Sequence, residues 1–257
     1  MKTNSLGFIG GGRITKIFLK AFANRKRDFK SIVVYDSNSE VSAALKTMFP
    51  EIEIATSIHQ AARQSIVFLA LHPPVIIESL DKMAENINAD SVVISLAPKI
   101  SIEKIASKLK TVNIARMIPN ATSYINEGFN PMAFAPGFDS YERIDLLALF
   151  MHLGKTFEVK ENTLEAYALI SAMLPTYFWF QWKELVKLGS QMGLSPDESK
   201  MAITSTLEAS INLMFKSELT TADVMDLIPL KPIGENEEQI TKIYESKLMG
   251  LFEKIKP

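Results

Sequence analysis

The chain has 257 residues, 47% of them hydrophobic, enough to bury one large core or two smaller ones in a one- or two-domain protein. Lys and Arg number 28 against 29 Asp and Glu, and no block of like charge tracks a phosphate backbone or an anionic membrane, so nucleic acid and membrane are not expected partners. The absence of cysteine excludes disulfides, thiolate metal sites and thiol catalysis, and fits a reducing compartment.

The N-terminal stretch runs at once into a short strand and a glycine turn and lacks the apolar core of a signal peptide, so the cytoplasm is the expected location. Strands are predicted at Leu6–Ile9, Ile32–Tyr35, Ile52–Ile54, Ile66–Ala70, Val92–Ser95 and Asn113–Met117, each mostly apolar, as strands covered on both faces must be. Segments of helical spacing fill the gaps, which is the pattern of βαβ units wound on both faces of a parallel sheet. The apolar runs Ile66–Leu71 and Tyr177–Trp182 fall far short of the roughly 20 residues that a membrane-spanning helix requires.

After about Phe157 the texture becomes helical, with Leu, Ala, Met, Glu and Lys at helical spacing and no convincing strand. This divides the chain into a dinucleotide-binding domain over residues 1–158 and a helical substrate and dimerisation domain over residues 159–257. A long helix is predicted from Thr163 to Gly189, kinked or interrupted at Pro175, whose missing N–H cannot continue the ladder. Ser195-Pro196-Asp197-Glu198 reads as an N-cap, a proline at the first helical position and acids in the first turn. Further helices are predicted near Thr221–Leu227 and Glu237–Ile255, with a loop at Ile228–Asn236. The apolar helical part, in a chain with twelve methionines, also suggests surfaces covered by a partner.

Gly10, Gly11 and Gly12 fall where the first strand turns into a helix, so the backbone can approach a pyrophosphate at the helix N-terminus, flanked by Arg13 and Ile14. The third glycine of the usual pattern is replaced by Thr15, which must still allow helix and strand to pack closely. The second strand ends at Asp36, the acidic position expected to meet the adenosine ribose. Asp36 alone favours NAD; Ser37, Asn38, Ser39 and Arg13 could instead serve a 2′-phosphate, so NAD and NADP both stay open.

Gly7-Phe-Ile-Gly-Gly-Gly12, Val67-Phe-Leu-Ala-Leu-His-Pro73, Val93-Ile-Ser-Leu-Ala97 with Ile100-Ser-Ile102, and Arg116-Met-Ile-Pro-Asn120 occur in order, and in this the chain resembles the pyrroline-5-carboxylate reductase family. The likeness continues through Leu153-Gly154 and Ser171-Ala-Met-Leu-Pro175-Thr-Tyr177. It implies a Rossmann domain followed by an all-helical domain, a homodimer formed through that helical part, and NAD(P)H-dependent reduction of a cyclic imine, 1-pyrroline-5-carboxylate or a related imine or keto acid, to a proline-like amine. It also implies that Gly10–Ile14 hold the pyrophosphate, that Ala70, Leu71, His72 and Pro73 line the adenosine and ribose side, and that Ala97 and Asn120 flank the nicotinamide.

The chain departs from the family where Ser171-Ala-Met-Leu-Pro175 replaces Ser-Gly-Ser-Gly-Pro, and where Ile228–Gly234 replaces a loop of hydroxyls and paired glycines. His72 stands where the family usually has Lys, and Lys99 where it usually has Gly. These changes bear on the substrate more than on the cofactor. Ser171, Thr176, Tyr177 and Lys231 are the candidate catalytic or substrate-holding groups. Tyr177 either donates a proton or packs beside Trp179 and Trp182; Lys231 either replaces the lost loop donors or is solvated. Arg116 contacts a phosphate or substrate, or forms an internal salt bridge. The three histidines, His59, His72 and His152, show no metal-ligand spacing, so no metal is expected. Two other readings stand beside the reductase: a non-catalytic NAD(P)-binding sensor or scaffold, and a dehydrogenase of the hydroxyacid type, for which Lys183 or Lys187 would be the lysine facing substrate.

Overall fold

The structure, a computed structural model, describes residues 4–257. Five βα units and a sixth strand come first: β1 (Ser5–Ile9) and α1 (Arg13–Asn24), β2 (Ser31–Tyr35) and α2 (Ser39–Met48), β3 (Glu53–Ile54) and α3 (Ile58–Ala62), β4 (Ile66–Leu69) and α4 (Pro73–Met83), β5 (Val92–Ser95) and α5 (Ile102–Ala106), then β6 (Ile114–Met117). These six strands are parallel and lie in the order 3-2-1-4-5-6, so the direction of winding reverses between β1 and β4. Every residue of β4, β5 and β6 is buried, as both covered faces require.

The sheet continues beyond the six expected strands with β7 (Gly128–Phe134), antiparallel to β6, and, after α6 (Ser140–Phe150), β8 (Gly154–Glu158), parallel to β7. Neither was expected from sequence. The core lies mainly between α1 and the sheet. Phe18, Leu19, Ala21 and Phe22 form one buried face of α1, and Phe18 meets Phe68 edge-on at 5.6 Å while Phe68 stacks on Phe8 at 4.5 Å. Each such side chain stabilises the fold by about 1.5–3 kcal/mol through burial, with roughly 0.5–1.5 kcal/mol more for each well-placed ring pair.

The predicted long helix is divided. α7 (Leu164–Tyr167) passes into a π-helical turn at Ala168–Ala172, and Pro175 then opens a new helix, α8 (Pro175–Gln191), at the position where its missing N–H costs nothing. The chain forms two compact units. One runs through Ala172 and includes Phe252–Pro257; the other is Met173–Leu251. The first therefore extends beyond the change of texture near residue 158, because Leu164, Glu165, Ala168 and Leu169 are buried in it.

In the second unit α8 is followed by α9 (Pro196–Lys216), α10 (Thr221–Asp226) and α11 (Glu237–Ile255), whose last residues count with the first unit. The start of α9 is a complete capping box between Ser195 and Glu198, and Thr220 and Asp223 make a second one at α10. Between residues 173 and 251 only Gly189 and Ser199 are buried, so these helices enclose no apolar core within one chain.

Candidate functional site

The β1–α1 turn lies at the carboxyl end of β1, beside the reversal in strand order, where open α/β sheets bind ligands. Gly10 has φ +106°, a region L side chains rarely adopt, and a Cβ there would run into the Ala70 carbonyl at the end of β4. Its amide donates to the Tyr35 carbonyl at 2.7 Å, which ties the turn to β2. Gly12 is the N-cap of α1, in an extended conformation, with no side-chain cap and no acid in the first helical turn. A Cβ on Gly12 would meet nothing within 4 Å. The helix N-terminus, with its positive end of the dipole and amides lacking side-chain acceptors, thus opens onto clear space at a position that only a residue without Cβ keeps clear. That arrangement fits a diphosphate.

Thr15, in place of the third glycine, is buried, and its hydroxyl donates to the Gly10 carbonyl at 2.6 Å, so the substitution fastens helix to turn. Ile14 is half-buried against the core cluster, while Arg13 is exposed in the first turn of α1.

Asp36 closes the turn from β2. The Gly11 amide donates to its Oδ2 at 2.7 Å, and the Asn38 amide donates to Oδ1 at 2.8 Å. Beside it is a cleft of 210 Å³ whose walls include Tyr35, Asp36, Ser37, Leu71, Glu78 and Lys82. Leu71, Asp36 and Ser37 are brought together here as the sequence reading required. Tyr35, Glu78 and Lys82 were missed, although the i,i+4 spacing of Glu78 and Lys82 marks them as a pair; they meet at 2.7 Å. The Glu78 carboxylate, by hydrogen bond and charge, holds the Lys82 ammonium above its ordinary pKa.

At the end of β4 the Ala70 amide donates to the Ile9 carbonyl at 2.8 Å, His72 is the exposed N-cap of α4, and Pro73 is that helix's first residue. Ala97, past β5, is buried. Lys99, two residues on, has φ +73°, so the position where the related family carries glycine still has the backbone that glycine favours. Asn120, past β6, is also buried; its Oδ1 accepts from the Thr122 amide at 3.0 Å and the Thr122 hydroxyl at 2.8 Å, and its Nδ2 donates to the Ser171 carbonyl at 3.4 Å.

Of the two roles open to Arg116, the structure shows the ion pair. Its guanidinium, 1% exposed, donates to Glu161 at 3.0 Å and to the buried carboxylate of Glu165. The same Glu161 oxygen accepts from the Ile102 amide at 2.7 Å, so one charge network joins β6, the start of α5 and α7. His59 bonds through its ring to Asn86 at 3.0 Å, and burial, followed by the charges of Arg27 and Arg25, lowers the His152 pKa. Among the described residues no group of three or more potential metal ligands gathers.

The Ser171 hydroxyl donates to the Tyr167 carbonyl at 2.8 Å, within the first unit. In the second unit the Thr176 hydroxyl donates to the Met173 carbonyl at 2.6 Å. Tyr177 packs edge-on against Tyr244 at 5.8 Å, and Trp182 stacks with Phe178 at 6.2 Å. Burial, and then Tyr244, raise the Tyr177 pKa above its ordinary value. Lys231 lines an apolar cavity of 510 Å³ together with Ile228, Ile240 and Tyr244. Lys187 pairs with Glu184 at 2.8 Å on the exposed face of α8, which argues against its serving a buried substrate.

A sequence-family profile described as "NADP oxidoreductase coenzyme F420-dependent" matches residues 5–99. The pyrroline-5-carboxylate reductase of Staphylococcus epidermidis is 22% identical over 252 residues, covering 96% of this chain and 92% of that one. This chain is thus similar to pyrroline-5-carboxylate reductases along nearly its whole length. Among solved structures, the pyrroline carboxylate reductase of Plasmodium falciparum with NADP bound superposes with a TM-score of 0.78 at 21% identity, covering 99% of this chain and 96% of that one. The 1-pyrroline-5-carboxylate reductase of Streptococcus pyogenes gives 0.75 at 18% identity, covering 98% and 96%. The fold is thus that of these reductases, a mainly parallel Rossmann sheet with a helical C-terminal part. Among the described residues no helix is long and apolar enough to cross a membrane.

Proposed function

We propose that this chain is an NAD(P)H-dependent reductase that delivers hydride to the C=N carbon of a small cyclic imine, 1-pyrroline-5-carboxylate or a related imine, or to the C=O carbon of a keto acid, yielding a proline-like amine from the first. The observation that carries the reading is the β1–α1 turn, with uncapped helix amides under an open Gly12 and Asp36 bonded to Gly11, in a chain similar to the reductases along 96% of its length. A bound nicotinamide supplies the hydride. The chain's share is placement, since the acceptor carbon must lie about 3–3.5 Å from the hydride carbon.

In this reading Gly10, Gly11, Gly12, Arg13 and Ile14 seat the diphosphate. Asp36 and Ser37 meet the adenosine ribose, Ala70, Leu71, His72 and Pro73 run along that side, and Ala97 and Asn120 border the nicotinamide. Residues 1–158 carry these groups; residues 159–257 serve substrate and assembly. Ser171 and Thr176 give their hydroxyl protons to helix carbonyls and so act toward substrate as acceptors. Proton donation falls to Tyr177, whose raised pKa keeps the phenol protonated, and the substrate carboxylate to Lys231.

The same reading makes the protein a homodimer. A unit with Trp179, Phe180, Phe215 and Leu230 exposed and no buried apolar residue cannot supply the entropy of ordering its own helices. A second copy of this unit supplies what one lacks, an equal set of apolar helix faces. Light scattering at micromolar concentration should give a dimer or a multiple of one; a folded monomer would remove this part. The location this implies is the cytoplasm.

The deciding experiment follows loss of reduced nicotinamide absorbance with NADH and NADPH against 1-pyrroline-5-carboxylate, other cyclic imines and 2-keto acids. Turnover that depends on the imine supports the reading. Saturable dinucleotide binding without turnover of any substrate would replace the enzyme with a nucleotide-binding scaffold or sensor.

A further inference from the structure

We propose that Asp36 makes this protein selective for NADH over NADPH. The inference rests on the cofactor reading above and adds to it the choice between two cofactors that the residues alone leave open. A carboxylate at the end of β2 excludes a 2′-phosphate only if it cannot turn away, and here it is held at both oxygens, by the Gly11 amide at 2.7 Å and the Asn38 amide at 2.8 Å. Swinging aside would strip acceptors from two backbone donors at once. Each oxygen keeps a further lone-pair direction, which suits the two neighbouring hydroxyls of an unmodified ribose. A 2′-phosphate has at most one proton to offer and brings charge of the same sign.

Among the described residues, the one cation on the cleft wall is already paired, and the neighbouring hydroxyl and amide groups carry no charge. The Asn38 side-chain oxygen accepts from the Glu40 amide as the cap of α2, and Ser39 is neutral. Lys82, the cation on the cleft wall, is paired with Glu78 at 2.7 Å, so the cleft holds two carboxylates to one ammonium. Ser37 lines the cleft but is neutral, and Arg13 is not among its walls. A phosphate placed there would meet net negative charge with no guanidinium to receive it.

The test is direct binding by calorimetry of NADH and NADPH, and of ADP-ribose and 2′-phospho-ADP-ribose, which lack the nicotinamide. Two like charges about 4 Å apart near a protein surface repel enough to expect a preference for the unphosphorylated partner of at least about tenfold in both pairs. Added salt should narrow that preference. Asp36→Asn, which keeps one acceptor and removes the charge, should bring the ratio to within about threefold, chiefly by tighter binding of the phosphorylated partner. A wild-type protein that binds the 2′-phosphorylated ligands as well or better overturns the proposal, as does a folded Asp36→Asn variant with an unchanged ratio. Should that variant fail to fold, the wild-type ratio and its salt dependence decide. Failure of all four ligands to bind would overturn the cofactor reading itself, an outcome distinct from binding without discrimination.

Discussion

Two glycines of one turn, Gly10 and Gly12, should fail in opposite ways when each is replaced by alanine. Gly10→Ala places an L side chain at φ +106° with its Cβ against the Ala70 carbonyl. That carbonyl cannot easily retreat, because the Ala70 amide is bonded to Ile9 at 2.8 Å and β4 is paired to β1 along its length. The left-handed backbone alone costs about 1–2 kcal/mol, and relief of the clash should exceed the roughly 0.5–1 kcal/mol regained from a stiffer unfolded chain. A net loss of about 2–3 kcal/mol should lower Tm by roughly 5–10 °C for a chain of this size. Gly12→Ala meets no neighbour within 4 Å and has φ −72°, so its stability should change by less than about 1 kcal/mol. Its methyl instead occupies the space above the α1 amides. Each charge-assisted bond to a diphosphate lost there is worth roughly 1.5–3 kcal/mol, or about ten- to 150-fold in Kd. Thermal melts at matched protein concentration and dinucleotide titration read the two effects separately. A Gly12→Ala variant with wild-type affinity would show that no diphosphate crosses this turn, and a Gly10→Ala variant with unchanged Tm would refute the strained geometry.

Arg116→Met leaves the carboxylate of Glu165, 2% exposed, without its buried cation and should cost about 3–5 kcal/mol; Arg116→Met combined with Glu165→Leu should recover much of that in denaturant titration, and no recovery would show that the pair is not the source of the loss. Lys99→Gly relieves a left-handed lysine at φ +73° and should raise stability by about 0.5 kcal/mol after the entropy of glycine is deducted; a lower Tm would count against it. The Ser195 hydroxyl and amide depress the Glu198 pKa, so this cap contributes fully above the unfolded carboxylate pKa and fades as pH falls through the lower folded value. Ser195→Ala should move the Glu198 carboxyl titration, followed by NMR, upward; an unmoved titration would remove the capping account.

Six of the eight strands could be read directly, β1, β4, β5 and β6 because they are short, almost wholly buried apolar runs that local composition alone produces; β2 is partly buried and both residues of β3 are exposed. β7 and β8 could not. β7 contains Pro131 between two partner strands, which argues against a strand in any single-sequence reading, and only the pairing with β6 and β8 overrules it. β8 offers Gly154-Lys-Thr-Phe-Glu158, half exposed and with one large apolar side chain, so its strand identity comes from its neighbour. The break near Pro175 was legible because a missing N–H acts locally, whereas the π-helical turn just before it was not.

The candidate site divides along the same line. Recognition by backbone leaves a mark in sequence, since it needs glycines at fixed offsets after a strand, and Gly10, Gly12 and Asp36 are proposed for that reason. Recognition by side chains leaves none until partners are known. Ser171 and Thr176 looked like equivalent hydroxyls in the sequence, yet each spends its proton on a backbone carbonyl three or four residues earlier, a local competition that only geometry reveals. Tyr177 packs on Tyr244, sixty-seven residues away, a partner no local pattern could name. The helical unit carries the argument furthest. Its periodicity announces apolar faces, but periodicity cannot say which molecule covers them, and one chain covers almost none. If a second copy does, its helices complete the surroundings of Tyr177 and Lys231, and substrate turnover should then require the assembled protein.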